Sequence, residues 1–99
     1  MKVPLAKLDE IPQGNTKEVD FFERSVLLTK VDDRYSAFVN VCTHAGGPLM
    51  AEDGKLRCQW HQACFSLENG KKLEGPGQHP LIRLLVRVEG DQLVYVYGE

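Results

Sequence analysis

Cys42-Thr43-His44, then thirteen residues, then Cys58-Gln59-Trp60-His61 is the stretch whose reading decides this chain. It holds only three Cys and three His in 99 residues, and four of those six fall in the two short arms. Each arm supplies one thiolate and one imidazole, the two side-chain donors that borderline-soft metals prefer. Both arms have the composition of loops. The concentration of donors there makes Cys42, His44, Cys58 and His61 the candidate metal ligands.

Two Cys and two His can bind metal in two ways. They can close one tetrahedron around a single zinc, or divide between the two irons of a [2Fe–2S] cluster, thiolates on one iron and imidazoles on the other. A zinc finger of this composition pairs Cys with Cys and His with His, the His commonly on a helix. Here each arm is mixed. Mixed arms suit a two-metal cluster, because each loop then gives a thiolate to the inner iron and an imidazole to the outer one. A zinc-stabilised binding module without redox chemistry stays as the competing reading.

The neighbouring residues sharpen the match. Cys42-Thr43-His44-Ala45-Gly46-Gly47-Pro48-Leu49, Cys58-Gln59-Trp60-His61, Phe65-Ser66-Leu67 and Gly75-Pro76-Gly77 together resemble soluble Rieske-type ferredoxins, from about Val3 to Val96. The resemblance implies a small all-β electron carrier whose [2Fe–2S] cluster is held by Cys42, His44, Cys58 and His61. It implies that Trp60, Pro48, Leu49 and Gly75-Pro76-Gly77 shield or cap the cluster. The chain departs from the family in Gln59, commonly Pro, in Gln62, commonly Gly, and in a shorter interval between the arms. None of these removes a ligand.

Net charge is −2 with acids and bases interspersed, so no nucleic-acid surface is expected. No run of about 20 apolar residues is present, and the first residues, Met1-Lys2-Val3-Pro4-Leu5-Ala6-Lys7, do not read as a signal peptide. A soluble, cytoplasmic, monomeric protein is the expectation. With Cys42 and Cys58 as ligands, Cys64 is left as a small buried or half-buried residue. High-potential Rieske proteins add a disulfide between the cluster loops; the matching positions here are Gly47 and Trp60.

Apolar residues follow a two-residue period. Strands are expected over 16–22, 25–31 and 35–41, with a turn at Asp32-Asp33-Arg34, forming an antiparallel meander that runs into the first arm. A hairpin is expected over 84–89 and 93–97, with Val86 and Val88 on one buried face. Residues 42–80 hold six of the nine Gly and three of the five Pro. Asp53-Gly54 and Asn69-Gly70 mark tight turns there, with short strands at 55–57, 65–67 and 71–73. A helical turn is expected near Leu8-Asp9-Glu10-Ile11. The fold class is therefore all-β: one Rieske-like domain with an antiparallel barrel or sandwich base (1–41 and 81–99) and an inserted cluster-binding lobe (42–80).

A [2Fe–2S] core of charge +2 bound by two thiolates and two neutral imidazoles is near zero when oxidised and near −1 when reduced. Four thiolates would take it from −2 to −3. Electron addition to the less negative assembly is easier, which raises the potential into roughly −150 to +300 mV across the class. High-potential relatives carry a Ser and a Tyr hydroxyl where this chain has Ala63 and Phe65, so a potential at the lower end is expected. No nucleophile–base pair is evident, so the chain reads as a carrier and not a stand-alone enzyme. The resemblance implies electrons taken from a flavin-containing reductase and passed to a terminal oxygenase. A small subunit of an assimilatory nitrite reductase is the alternative with the same fold. His79, Lys71, Lys72 and the acidic residues Asp9, Glu10, Glu18, Asp20, Glu23, Asp32 and Asp33 read as solvated surface.

Overall fold

The structure, a computed structural model, describes residues 2–41, 48–59, 63–74 and 80–96. Among the described residues the strands are β1 (Lys2–Lys7), β2 (Thr16–Phe21), β3 (Arg24–Val31), β4 (Arg34–Val39), β5 (Leu49–Glu52), β6 (Lys55–Cys58), β7 (Cys64–Ser66), β8 (Lys72–Glu74), β9 (Arg83–Leu84), β10 (Val86–Glu89) and β11 (Gln92–Val96). A 3-10 turn at Leu8–Glu10 follows β1. It is closed by the Glu10 carboxylate, which accepts the Lys7 backbone N–H at 3.0 Å.

The strands form three antiparallel sheets. Their orders are β1-β11-β10, β2-β3-β4-β9 and β5-β6-β7-β8. The expected meander is β2-β3-β4, with Val26 opposite both Val19 and Val39. Its two turns each hold two residues at positive φ, Phe22-Glu23 and Asp32-Asp33. These primed turns match the right-handed twist of the flanking strands. Arg34, expected in the turn, opens β4 instead.

β3 is buried along both faces because a layer covers each side. Val26, Leu28 and Ala37 pack with Ile11 and Leu93 in a core shared with the first sheet. Leu27 and Phe38, on the opposite face, pack with Leu49, Leu56, Cys58, Ala63, Phe65, Leu67 and Leu81 in a core shared with the third sheet. The middle sheet is thus the common wall of two cores.

The expected C-terminal hairpin differs in detail. The run expected as one strand over 84–89 breaks at Leu85, where the chain passes from the second sheet to the first. The alternation in β10 also fails: Val86 packs on the core, but Val88 is 46% exposed. β10 is an edge strand, and the core that takes Val86 does not extend to Val88. Glu89 is half-buried instead, with its carboxylate 2.7 Å from Lys2 Nζ and 3.0 Å from an Arg87 guanidinium nitrogen.

The 66–70 turn fastens the third sheet to the second. Thr29 Oγ1 donates to the Leu67 carbonyl and Ser36 Oγ to the Glu68 carbonyl, both at 2.9 Å. Gly70 lies at φ +75 against Phe38, so that a Cβ there would fall 2.6 Å from the ring. Only Gly combines that backbone with that approach.

Candidate metal centre

The two arms sit on two connections. The first arm lies in the link from β4 to β5, and the second in the hairpin link from β6 to β7. The ladder that pairs Arg57 with Cys64 continues one step further, where the Cys58 N–H donates to the Ala63 carbonyl at 2.8 Å. β6 and β7 are thus paired out to Cys58 and Ala63, the described residues that flank the second arm. Of the four sequence-predicted ligands, Cys58 is described; Cys42, His44 and His61 lie outside the described residues, as do Trp60, Gly75-Pro76-Gly77 and His79.

Cys58 is fully buried at the last position of β6. Strand parity puts it there. The pairs Leu49↔Cys58, Ala51↔Leu56 and Leu56↔Phe65 place Leu49, Ala51, Leu56, Cys58 and Phe65 on one face of the third sheet, the face that packs on Leu27 and Phe38. Cys58 is the residue of that row next to the loops. Its surroundings are hydrocarbon: Leu49, Leu56, Ala63 and Phe65 are all buried. Cys64, 2% exposed, pairs with Arg57 and so stands on the opposite face from Cys58. The odd cysteine is buried, as its composition-based reading anticipates.

The two connections meet at their ends. The Gln59 N–H donates to the Pro48 carbonyl at 3.1 Å, and Leu49 is the direct partner of Cys58. The residue that closes the first link is thereby held against the residue that opens the second. On the other side of the first link, Asn40 reaches across: its Oδ1 accepts the Leu49 N–H at 2.9 Å. Asn40 belongs to neither ligand motif. Its signal was present as the Asn-Val step before Cys42, but a polar residue at a strand end is too common to stand out.

These residues fit an iron–sulfur group. A buried thiol at the mouth of two abutting loops, ringed by apolar side chains, suits a metal-bound thiolate sheltered from water. Three antiparallel sheets, one of them bearing both loop mouths, define the class as a Rieske-like domain. The Rieske [2Fe-2S] domain model matches residues 1–94, and the chain belongs to that family. Its cofactor is a [2Fe–2S] cluster.

The chain is 30% identical over 99 residues to apoptosis-inducing factor 3 from Homo sapiens, covering 97% of this chain but 16% of that protein, so it spans about a sixth of the human relative's length. It is 30% identical over 102 residues to the ferredoxin component of the p-cumate 2,3-dioxygenase system from Pseudomonas putida, covering 97% of this chain and 86% of that protein. Among solved structures, the ferredoxin of carbazole 1,9a-dioxygenase from Nocardioides aromaticivorans IC177 superposes with a TM-score of 0.76 at 25% identity, covering 96% of each chain. Among the described residues, no helix is long and apolar enough to cross a membrane.

Proposed function

We propose that this chain is a one-electron carrier in which Cys42 and Cys58 hold one iron of the cluster and His44 and His61 the other. The cluster, when bound, accepts and returns a single electron without a vacant coordination position. The protein's part is to hold two loops together, shield the thiolate side with hydrocarbon and leave the imidazole side for a partner. The abutment of the two connections carries this reading: the Pro48–Gln59 hydrogen bond and the Leu49–Cys58 pair bring the arms' flanks side by side. The β5–β6 hairpin, closed by the two-residue turn Asp53-Gly54, imposes that pairing, so one local element brings together the flanks of two arms whose cysteines are sixteen apart in sequence.

Residues 42–80 act as the cluster-binding lobe on the base formed by 1–41 and 81–99. The redox partners are a flavin-containing reductase as donor and a terminal oxygenase as acceptor. The dioxygenase systems to which the p-cumate and carbazole ferredoxins belong support the oxygenase side of this assignment. The carrier works as a monomer in the cytoplasm. The potential lies at the lower end of the class, because Ala63 and Phe65, buried next to Cys58 in the same apolar cluster, carry no hydroxyl to stabilise the reduced cluster.

Protein produced with adequate iron and sulfide is expected to be red-brown, with two irons and two acid-labile sulfides per chain. Redox titration is expected to give a midpoint below about +100 mV. One zinc without sulfide would overturn the carrier assignment, and a midpoint clearly above that value would overturn the low-potential part of it.

A further inference from the structure

We infer that Asn40 is a positioning residue for the cluster: it is the strut that closes the first ligand loop, and Glu18 and Ser25 set the strut's orientation. This inference rests on the carrier assignment above. Asn40 stands just past the end of β4, half-buried. Its Oδ1 accepts the Leu49 N–H at 2.9 Å, spanning the whole first arm. Its Nδ2 donates to Ser25 Oγ at 3.1 Å and approaches Glu18 Oε2 at 3.4 Å. The Ser25 hydroxyl in turn donates to the same Glu18 oxygen. The Asn40 backbone N–H donates to the Ser25 carbonyl at 2.9 Å, so main chain and side chain are both anchored on β3.

The chemistry of this chain requires an amide. Leu49 presents a donor, so the near atom of residue 40 must accept. Ser25 spends its proton on Glu18, so the far atom of residue 40 must donate. An amide does both at once, and the Glu18–Ser25 pair fixes which end is oxygen. A carboxylate at position 40 would satisfy Leu49 but set one anion against another. The strut reaches both loops, because Leu49 is the partner of Cys58 and Pro48 holds Gln59. Asn40 thereby connects the middle sheet to the mouth of the centre at a point well separated from the Thr29 and Ser36 ties on the 66–70 turn.

The test is the rate at which holoprotein loses its visible absorption to an iron chelator, read with the reduction potential and with far-ultraviolet circular dichroism as a check on folding. Asn40→Ala is expected to lose cluster about five- to tenfold faster than wild type, the effect of one partly buried hydrogen bond, and to shift the potential. Asn40→Asp is expected to do the same. Asn40→Asp combined with Glu18→Gln inverts donor and acceptor within the network, and is expected to return the rate to within about twofold of wild type. A purely structural role would give no such rescue. Should Asn40→Ala not fold, Asn40→Asp with and without Glu18→Gln carries the test alone. Wild-type rate and potential in Asn40→Ala, or a double variant no better than Asn40→Asp, would overturn the inference while leaving the carrier assignment intact. A wild-type chain that takes up no iron or sulfide would overturn both.

Discussion

One face of the β2-β3-β4-β9 sheet packs Val26, Leu28 and Ala37 towards the terminal strands, while the other packs Leu27 and Phe38 towards the sheet that carries Cys58. The two cores share a wall and the same alternation of side chains. They differ in what they end in. The first is closed by hydrocarbon and by the pairing of β1 with β11, joining the two ends of the described chain. The second ends in a buried thiol and two loop mouths. Its connections to the middle sheet are also more polar: Thr29 and Ser36 donate to carbonyls of the 66–70 turn, and Asn40 accepts from Leu49. Burial alone fixes how close two sheets lie, whereas directional bonds fix how they are registered. The proposed grip of a cluster from two loops would need the second property, and these polar ties lie on that side.

This contrast can be broken experimentally. Leu28→Ala, in the hydrocarbon core, is expected to cost the most stability, about 3 kcal/mol. Denaturant unfolding checks the magnitude, and cluster absorption per folded molecule is expected to stay at the wild-type level. Equal loss of cluster and of stability would show that the two cores do not act separately.

Gly70→Ala comes next, at about 2–3 kcal/mol. The added Cβ meets Phe38 at 2.6 Å, and the residue must also hold φ +75. Because Phe38 shares a core with Cys58, this variant is expected to lose cluster to a chelator faster than Leu28→Ala when the two are compared at matched stability. A slower loss than Leu28→Ala would sink the idea that the second core is tied to the centre.

The smallest effect is expected at the far edge of the first sheet. The hydrogen bond from Lys2 holds the Glu89 carboxyl below its ordinary value of 4.5, partial desolvation opposes this, and Arg87 adds to the lowering. A carboxylate with a depressed folded-state pKa contributes stability above its ordinary range, and that contribution disappears as pH falls through the lowered value. Glu89→Gln is therefore expected to lower the melting temperature slightly at pH 7 and low salt, with the gap to wild type closing below about pH 4. Added salt shrinks the gap at neutral pH. The cluster's absorption is expected to be indifferent throughout. A gap that widened in acid would contradict the assigned direction.

The three strands of the meander were legible because Ser25–Val31 and Tyr35–Val41 carry strong apolar content between clear turn residues, and local pattern coincides there with tertiary burial. The sequence hid β1, because Pro4 interrupts it and a bulge between Pro4 and Ala6 shifts its register; Pro is tolerated there on an edge strand. β5 was hidden too. Leu49–Glu52 is only four residues long, without alternation, inside a Gly- and Pro-rich stretch. Val88 was misplaced because period two shows that a strand has two faces, not whether anything covers them.

By itself the sequence supplied the proposed donor set, two thiolates and two imidazoles in mixed arms, since residue type and spacing are local properties. It also determined the all-β class, because strand period and turn residues are read over a few positions. Only the tertiary structure decided that Leu49 faces Cys58, that Pro48 holds Gln59 and that Asn40 bridges the first arm. Those contacts join residues on different strands, across the connections that link them. They depend on strand register and sheet packing, which follow from the burial of the whole molecule and not from any one segment of it.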